Sequence, residues 1–133
     1  MVACVPLRFL RSSRLSPGIA HLVSTLHSRG KAVFLVSGGF RQMINPLAES
    51  LGIAIDRVYA NTLLFNSDGS FQGFDRDEFT SRTGGKAEAA RAIKEKYGYK
   101  TLVMVGDGST DLEVGSGRTR EGEGAIDQSM CSA

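Results

Sequence analysis

Cysteine is scarce in this 133-residue chain. Cys4 and Cys131 lie near opposite ends and fit no metal-ligand or redox spacing, so free thiols in a reducing compartment are the expectation. Long apolar runs are missing too. None approaches the ~18 residues that a membrane span needs, so no membrane partner is expected. Charge of one sign is not in excess. Sixteen Lys and Arg stand against 14 Asp and Glu, a net charge of +2, which gives no reason to expect a nucleic-acid or membrane-surface partner. Acidic residues are absent from residues 1–15, which carry Arg8, Arg11 and Arg14. That stretch is a short and weak match to the composition of an organelle transit peptide.

What is present is ordinary in bulk. An apolar content of 41% suits a soluble globular protein. The length allows one domain with a modest core. Three stretches differ in character. Residues 1–15 are basic and aperiodic. Residues 16–113 alternate helical and strand patterns. Residues 114–133 are rich in Gly, Ser and charge with almost no apolar side chains, and disorder is expected for that tail. No internal repeat is found.

Within the middle stretch, Ser16-Pro17 reads as a helix N-cap and first helical position. Ile19, Leu22, Val23 and Leu26 follow at helical spacing, and Gly30 stops the run. Ala32–Val36 (AVFLV) is the apolar, β-branched run of a strand buried on both faces, broken by Ser37-Gly38-Gly39. Met43, Ile44, Leu47, Ala48 and Leu51 mark a second helix closed by Gly52, with Pro46 expected to kink it or delay its start. Val58–Ala60 is a further strand. Leu63–Phe65 and Ser70–Phe74 flank Asn66-Ser67-Asp68-Gly69, a hairpin turn signal. Lys86–Tyr97 is a helix with Ala89, Ala90, Ile93 and Tyr97 on one face, ended by Gly98. Thr101–Val105 (TLVMV) is another buried strand, broken by Gly106-Asp107-Gly108. Strand and helix alternating across short glycine-marked turns predict an α/β fold with a doubly wound parallel sheet.

Chemistry in such a sheet collects at the carboxyl tips of the strands. After AVFLV, the Ser37 hydroxyl and the N–H groups of Gly38 and Gly39 suit an anion such as phosphate; an ordinary cap with glycines for the turn is the plainer reading. After TLVMV, Asp107 and Asp111 stand four apart in a polar turn. Carboxylates there suit a hard cation such as Mg²⁺, or else simply form a turn and start a helix. Lys86 follows Gly84-Gly85 near the start of its helix. A cation there opposes the helix dipole unless an anion is bound, although a solvated lysine reads as well. Gly85-Lys86 is not a P-loop, because Ala87 replaces the needed Ser or Thr and Thr80 stands where the first glycine belongs. His21 and His27, six apart on a helix, read as surface residues, and Arg41 and Asn61 as structural ones.

The order and spacing of these three signals resemble the haloacid dehalogenase superfamily of phosphotransferases. The segments LSPGIAHLVSTLHSRG, VFLVSGGFRQMI, SRTGGKAEAARAIKEKYGYK and TLVMVGDGSTDLE resemble its phosphoserine phosphatase family more closely still, its plant members in particular. The resemblance covers roughly residues 16–113. It implies a Rossmannoid parallel sheet and Mg²⁺-dependent hydrolysis of O-phospho-L-serine to L-serine and phosphate, the last step of serine biosynthesis. It further implies that Asp107 ligates Mg²⁺ with Asp111 supporting the site from behind. Ser37, Gly38, Gly39 and Lys86 would hold the phosphoryl oxygens, and Thr110 would lie near the substrate. The location implied is the cytoplasm, or the plastid for the intact plant form.

The departures from the family carry equal weight. The family's first motif, DxDx[TV], supplies the nucleophilic Asp and the acid/base Asp, and none precedes Ser37. The chain alone is therefore expected to be inactive. Val5-Pro6-Leu7-Arg8-Phe9 looks like a remnant of the family's cap, and after Glu113 a glycine-rich tail replaces the last strand and helix. A truncated form is the expectation, with an incomplete sheet lacking its first strand, most of the cap and the last strand. An empty first-strand slot would leave unpaired N–H and C=O groups on two central strands, and a partly folded chain. Val2–Val5 have the β-branched character to fill it, but Pro6 cannot donate to a ladder. The connection onward to Ser16 is about ten residues, barely long enough for a crossover. Two alternatives stay open: a catalytically dead anion-binding or regulatory module, and a phosphatase for another small phosphate ester.

Overall fold

Successive side chains of a strand point to opposite faces of its sheet, and in AVFLV both sets are apolar. The computed structural model, which describes residues 15–106 and the backbone of residues 2–5, shows the consequence. The run lies in β2 (Ala32–Phe40), with Val33 to Val36 all buried. Phe34 and Val36 pack with Ala89, Ala90 and Ile93 of α3 (Gly85–Tyr97) and with Leu102 and Met104. Val33 and Leu35 pack instead with Val23 of α1 (Ile19–Ser28), Ile44 and Ala48 of α2 (Arg41–Ser50), and Ile53, Val58 and Ala60. Helices therefore cover both faces of the sheet, the doubly wound α/β arrangement expected from the sequence.

The sheet has four strands. β1 (Val2–Val5) and β6 (Val103–Met104) join β2 and β3 (Val58–Asn61) in the order β3-β2-β1-β6, and every neighbouring pair is parallel. β4 (Leu63–Phe65) and β5 (Phe71–Phe74) form a separate antiparallel hairpin. Short 3₁₀ turns stand at Ile55–Arg57 and Phe79–Ser81.

The first-strand slot, expected to be empty, is occupied. Val2–Val5 pair with Ala32–Leu35 on one side, and Ala3 and Cys4 pair with Val103 and Met104 on the other. The physical reason is the demand of two facing strand edges for backbone partners, which a short β-branched run satisfies. Residues 2–5, assigned from sequence to a basic remnant, thus stand at the centre of the sheet.

Three smaller differences are local. α1 starts at Ile19 rather than at Pro17, because Gly18 takes a left-handed φ of 88° at the cap. Pro46 neither delays nor ends α2, which runs from Arg41 to Ser50 around it. Ser37-Gly38-Gly39 does not end β2 but is carried inside it as an irregularity, described below.

Candidate phosphate-binding site

Parallel strands bring their carboxyl ends to one edge. On that edge the β2–β3 ladder breaks register. Val36 pairs with Tyr59, but the next pair is Phe40 with Asn61. Two steps on β3 thus face four on β2, and Ser37-Gly38-Gly39 is excluded from the ladder. Ser37 is nonetheless buried, at 5% exposure, whereas Gly38 and Gly39 face solvent. The Gly39 N–H donates to Ser37 Oγ at 3.0 Å. A hydroxyl has one hydrogen to give, and no acceptor for that of Ser37 occurs among the described residues. The Gly39 N–H, expected to face an anion, is therefore engaged within the turn. A Cβ on Gly39 would lie 3.3 Å from Ser37 Oγ and 3.4 Å from Ile44 Cδ1, so the turn closes tightly on its own hydroxyl.

Lys86 is the second residue of α3, partly buried, and its placement depends on two glycines. Gly84 turns the chain with a left-handed φ of 75°. Gly85 is buried against the turn Phe79–Ser81, so closely that a Cβ would overlap the Phe79 carbonyl oxygen and stand 3.0 Å from Thr80 Cα. The start of α3 therefore sits directly on the backbone of that turn.

Side chains read from the sequence as structural join the two halves. Asn61, at the end of β3, donates from Nδ2 to the Gly38 carbonyl at 2.9 Å and accepts at Oδ1 from the Thr80 hydroxyl at 2.8 Å. A carbonyl can only accept, so the orientation of the amide follows from its partners. Arg41, at the start of α2, donates to Glu78 from Nε at 2.9 Å and from its second terminal nitrogen at 3.2 Å. Its remaining terminal nitrogen donates to the Val58 carbonyl at 2.6 Å. Glu78 also accepts from the Thr62 hydroxyl at 2.9 Å. The one sequence signal for Asn61 was its place at the carboxyl tip of a predicted strand. Glu78, in the polar run between hairpin and helix, gave none.

Asp107, Thr110 and Asp111 lie outside the described residues. Because β6 runs parallel to β2 through β1, the chain leaves β6 toward Gly106 at the edge that carries Ser37. Among the described residues no group of three His, Cys, Asp or Glu is placed to hold a metal ion, and no helix is long and apolar enough to cross a membrane. His21 is exposed and His27 half-buried on α1.

The chain matches the haloacid dehalogenase-like hydrolase family over residues 4–116. It is similar to the chloroplastic phosphoserine phosphatase of Arabidopsis thaliana, 55% identical over 103 residues, which are 77% of this chain and 35% of that protein. It is also similar to the phosphoserine phosphatase of Bos taurus, 46% identical over 99 residues, 74% of this chain and 44% of that one. Among solved structures it resembles a phospho-aspartyl intermediate analogue of phosphoserine phosphatase. There the TM-score is 0.60 with 30% identity, covering 75% of this chain and 47% of that one. The chain thus spans less than half the length of each of these relatives.

Proposed function

Since the chain belongs to the haloacid dehalogenase-like hydrolases, we propose that it carries the phosphoryl-holding half of a phosphoserine phosphatase site, with O-phospho-L-serine as its ligand. The observation that carries this reading is a buried hydroxyl whose hydrogen has no acceptor among the described residues, in a turn joined through Asn61 to Thr80, on whose backbone the glycine-tightened start of a lysine-bearing helix rests. In this reading the Ser37 O–H donates to a phosphoryl oxygen. Gly38 and Gly39 leave backbone room for the anion, and the Lys86 ammonium balances its charge. Thr110 would lie near the substrate. The family implies Mg²⁺, and oxygen donors such as the Asp107 and Asp111 carboxylates fit that ion. Asp107 would hold it with Asp111 behind, and when bound it would neutralise phosphoryl charge.

The relatives' likeness supports phosphoserine among small phosphate esters. Similarity to a chloroplastic enzyme supports the plastid, alongside the cytoplasm, as the compartment of the intact protein. One observation separates this chain from turnover. The strand in the first-strand slot reads Val-Ala-Cys-Val, and no Asp or Glu occurs in residues 1–48. Without a carboxylate on that strand, an aspartyl-phosphate has no acceptor there. The chain by itself is therefore a binding module that holds the ester without cleaving it.

Calorimetry with O-phospho-L-serine, O-phospho-L-threonine and inorganic phosphate, with and without Mg²⁺, tests both parts. The expected result is binding that is lost in Ser37→Ala, with no phosphate released above background. Mg²⁺-dependent phosphate release that disappears in Asp107→Ala would overturn the binding-module reading. Tighter binding of another ester would reassign the ligand.

A further inference from the structure

The break in the β2–β3 ladder leaves the Gly38 carbonyl, in an exposed turn, without a strand partner. Asn61 supplies it from the end of β3, the strand across the break. The same side chain reaches the other way to Thr80, in the turn on which Gly85 rests. We propose that Asn61 is a positioning residue that fixes the separation of the Ser37 hydroxyl from the start of α3, and hence from Lys86, so that both engage one phosphoryl group. The proposal rests on the anion-binding reading of that edge.

The chemistry of the residue suits the task. An amide carries a donor and an acceptor on one rigid plane, so one χ2 angle sets both bonds together. Serine has a shorter reach. Aspartate keeps the acceptor for Thr80 but has no hydrogen for the Gly38 carbonyl, and it brings a negative charge toward an anion site. Transmission to α3 needs no hydrogen bond at all. With Gly85 in backbone contact with Phe79 and Thr80, a shift of Thr80 moves the first turn of the helix.

The test is an amide-detected NMR titration of the full chain with inorganic phosphate, in wild type, Thr80→Val, Thr80→Ser, Asn61→Asp and Asn61→Leu. Wild type should show phosphate-dependent shifts at Gly38, Gly39 and Lys86 with a single affinity. Thr80→Val, nearly isosteric, removes only the bond to Asn61. It should weaken phosphate by about three- to tenfold, the size of one lost hydrogen bond, and uncouple the Lys86 response from that of the glycines. Thr80→Ser should restore both, and Asn61→Asp should bind more weakly than Thr80→Val. A merely structural role would lower the melting temperature and leave affinity and coupling as in wild type, and that result in Thr80→Val overturns the proposal. Should either Asn61 variant fail to fold, the two Thr80 variants decide alone. Absence of any phosphate response in wild type would instead overturn the anion-site reading, and the positioning role with it.

Discussion

Single residues decide how closely this chain can pack at its candidate functional edge. Gly85 is the clearest case, because any side chain there meets the Phe79 carbonyl and Thr80 Cα rather than a movable side-chain tip. Gly85→Ala is expected to cost at least the ~1–3 kcal/mol of an overpacked core position. Gly38→Ala, with nothing within 4 Å of the added methyl among the described residues, should stay within about 0.5 kcal/mol. Urea midpoints of the two variants check this, and equal values would remove the steric argument. Asp68 in the hairpin turn is a second case. Its carboxylate accepts from the Ser70 hydroxyl at 2.6 Å and from the Ser70 N–H at 2.9 Å, and these bonds, the hydroxyl first, hold its pKa below the ordinary value. A depressed carboxylate stabilises the turn above the ordinary pKa, and that contribution is lost as pH falls through the folded value. The carboxyl ¹³C titration of Asp68 should therefore have a midpoint below that of a free aspartate. Ser70→Ala should move it back up.

At the scale of elements, two straps tie the segment between hairpin and α3 to the sheet edge. One is Asn61 to Thr80, and the other is Arg41 of α2 to Glu78. The Arg41–Glu78 pair is fork-to-fork and mostly shielded, with side-chain exposures of 25% and 19%, so it exceeds an ordinary surface ion pair. Arg41→Met is expected to lower stability by about 1.5–3 kcal/mol, since Glu78 would keep only Thr62 as a partner. The double variant with Glu78→Gln should lose less than the sum of the single changes. A double-mutant cycle in urea measures the coupling, and strict additivity would show the strap to be idle. The elements themselves were legible where they obey local rules. AVFLV appeared as β2, the Lys86 helix ended at Gly98 with its left-handed φ of 66°, and the Asn66–Gly69 turn joined β4 to β5. Boundaries were read less well. The start of α1 turned on Gly18, and β2 continued through its own glycines because β3 resumes pairing at Asn61.

For the whole molecule, the decisive feature is the strand in the middle of the sheet. β1 pairs on both sides, so it converts two facing edges into one continuous four-stranded ladder. Hydrogen exchange should accordingly show protection across Val33–Val36 and Val103–Met104 together. Cys4→Pro, which removes a ladder donor and is unsuited to a strand paired on both sides, should abolish it in both at once. Protection unchanged by that substitution would mean that β2 and β6 are held by something other than β1. The amino-acid sequence by itself determined the α/β alternation, the order of the strands and helices, and the three signals at Ser37, Lys86 and Asp107. Each of these rests on near neighbours: periodicity of apolar side chains, glycine where a turn is needed, polar groups after a buried run. Only the tertiary structure decided that Val2–Val5 complete the sheet, that Gly85 lies on Phe79, and that Asn61 and Glu78 join the site. The partners of Val2–Val5, Asn61 and Glu78 stand far along the chain, 37 residues in the case of Arg41 and Glu78. Parallel crossovers bring such residues together, and no local pattern of residues encodes which polar groups will then find each other.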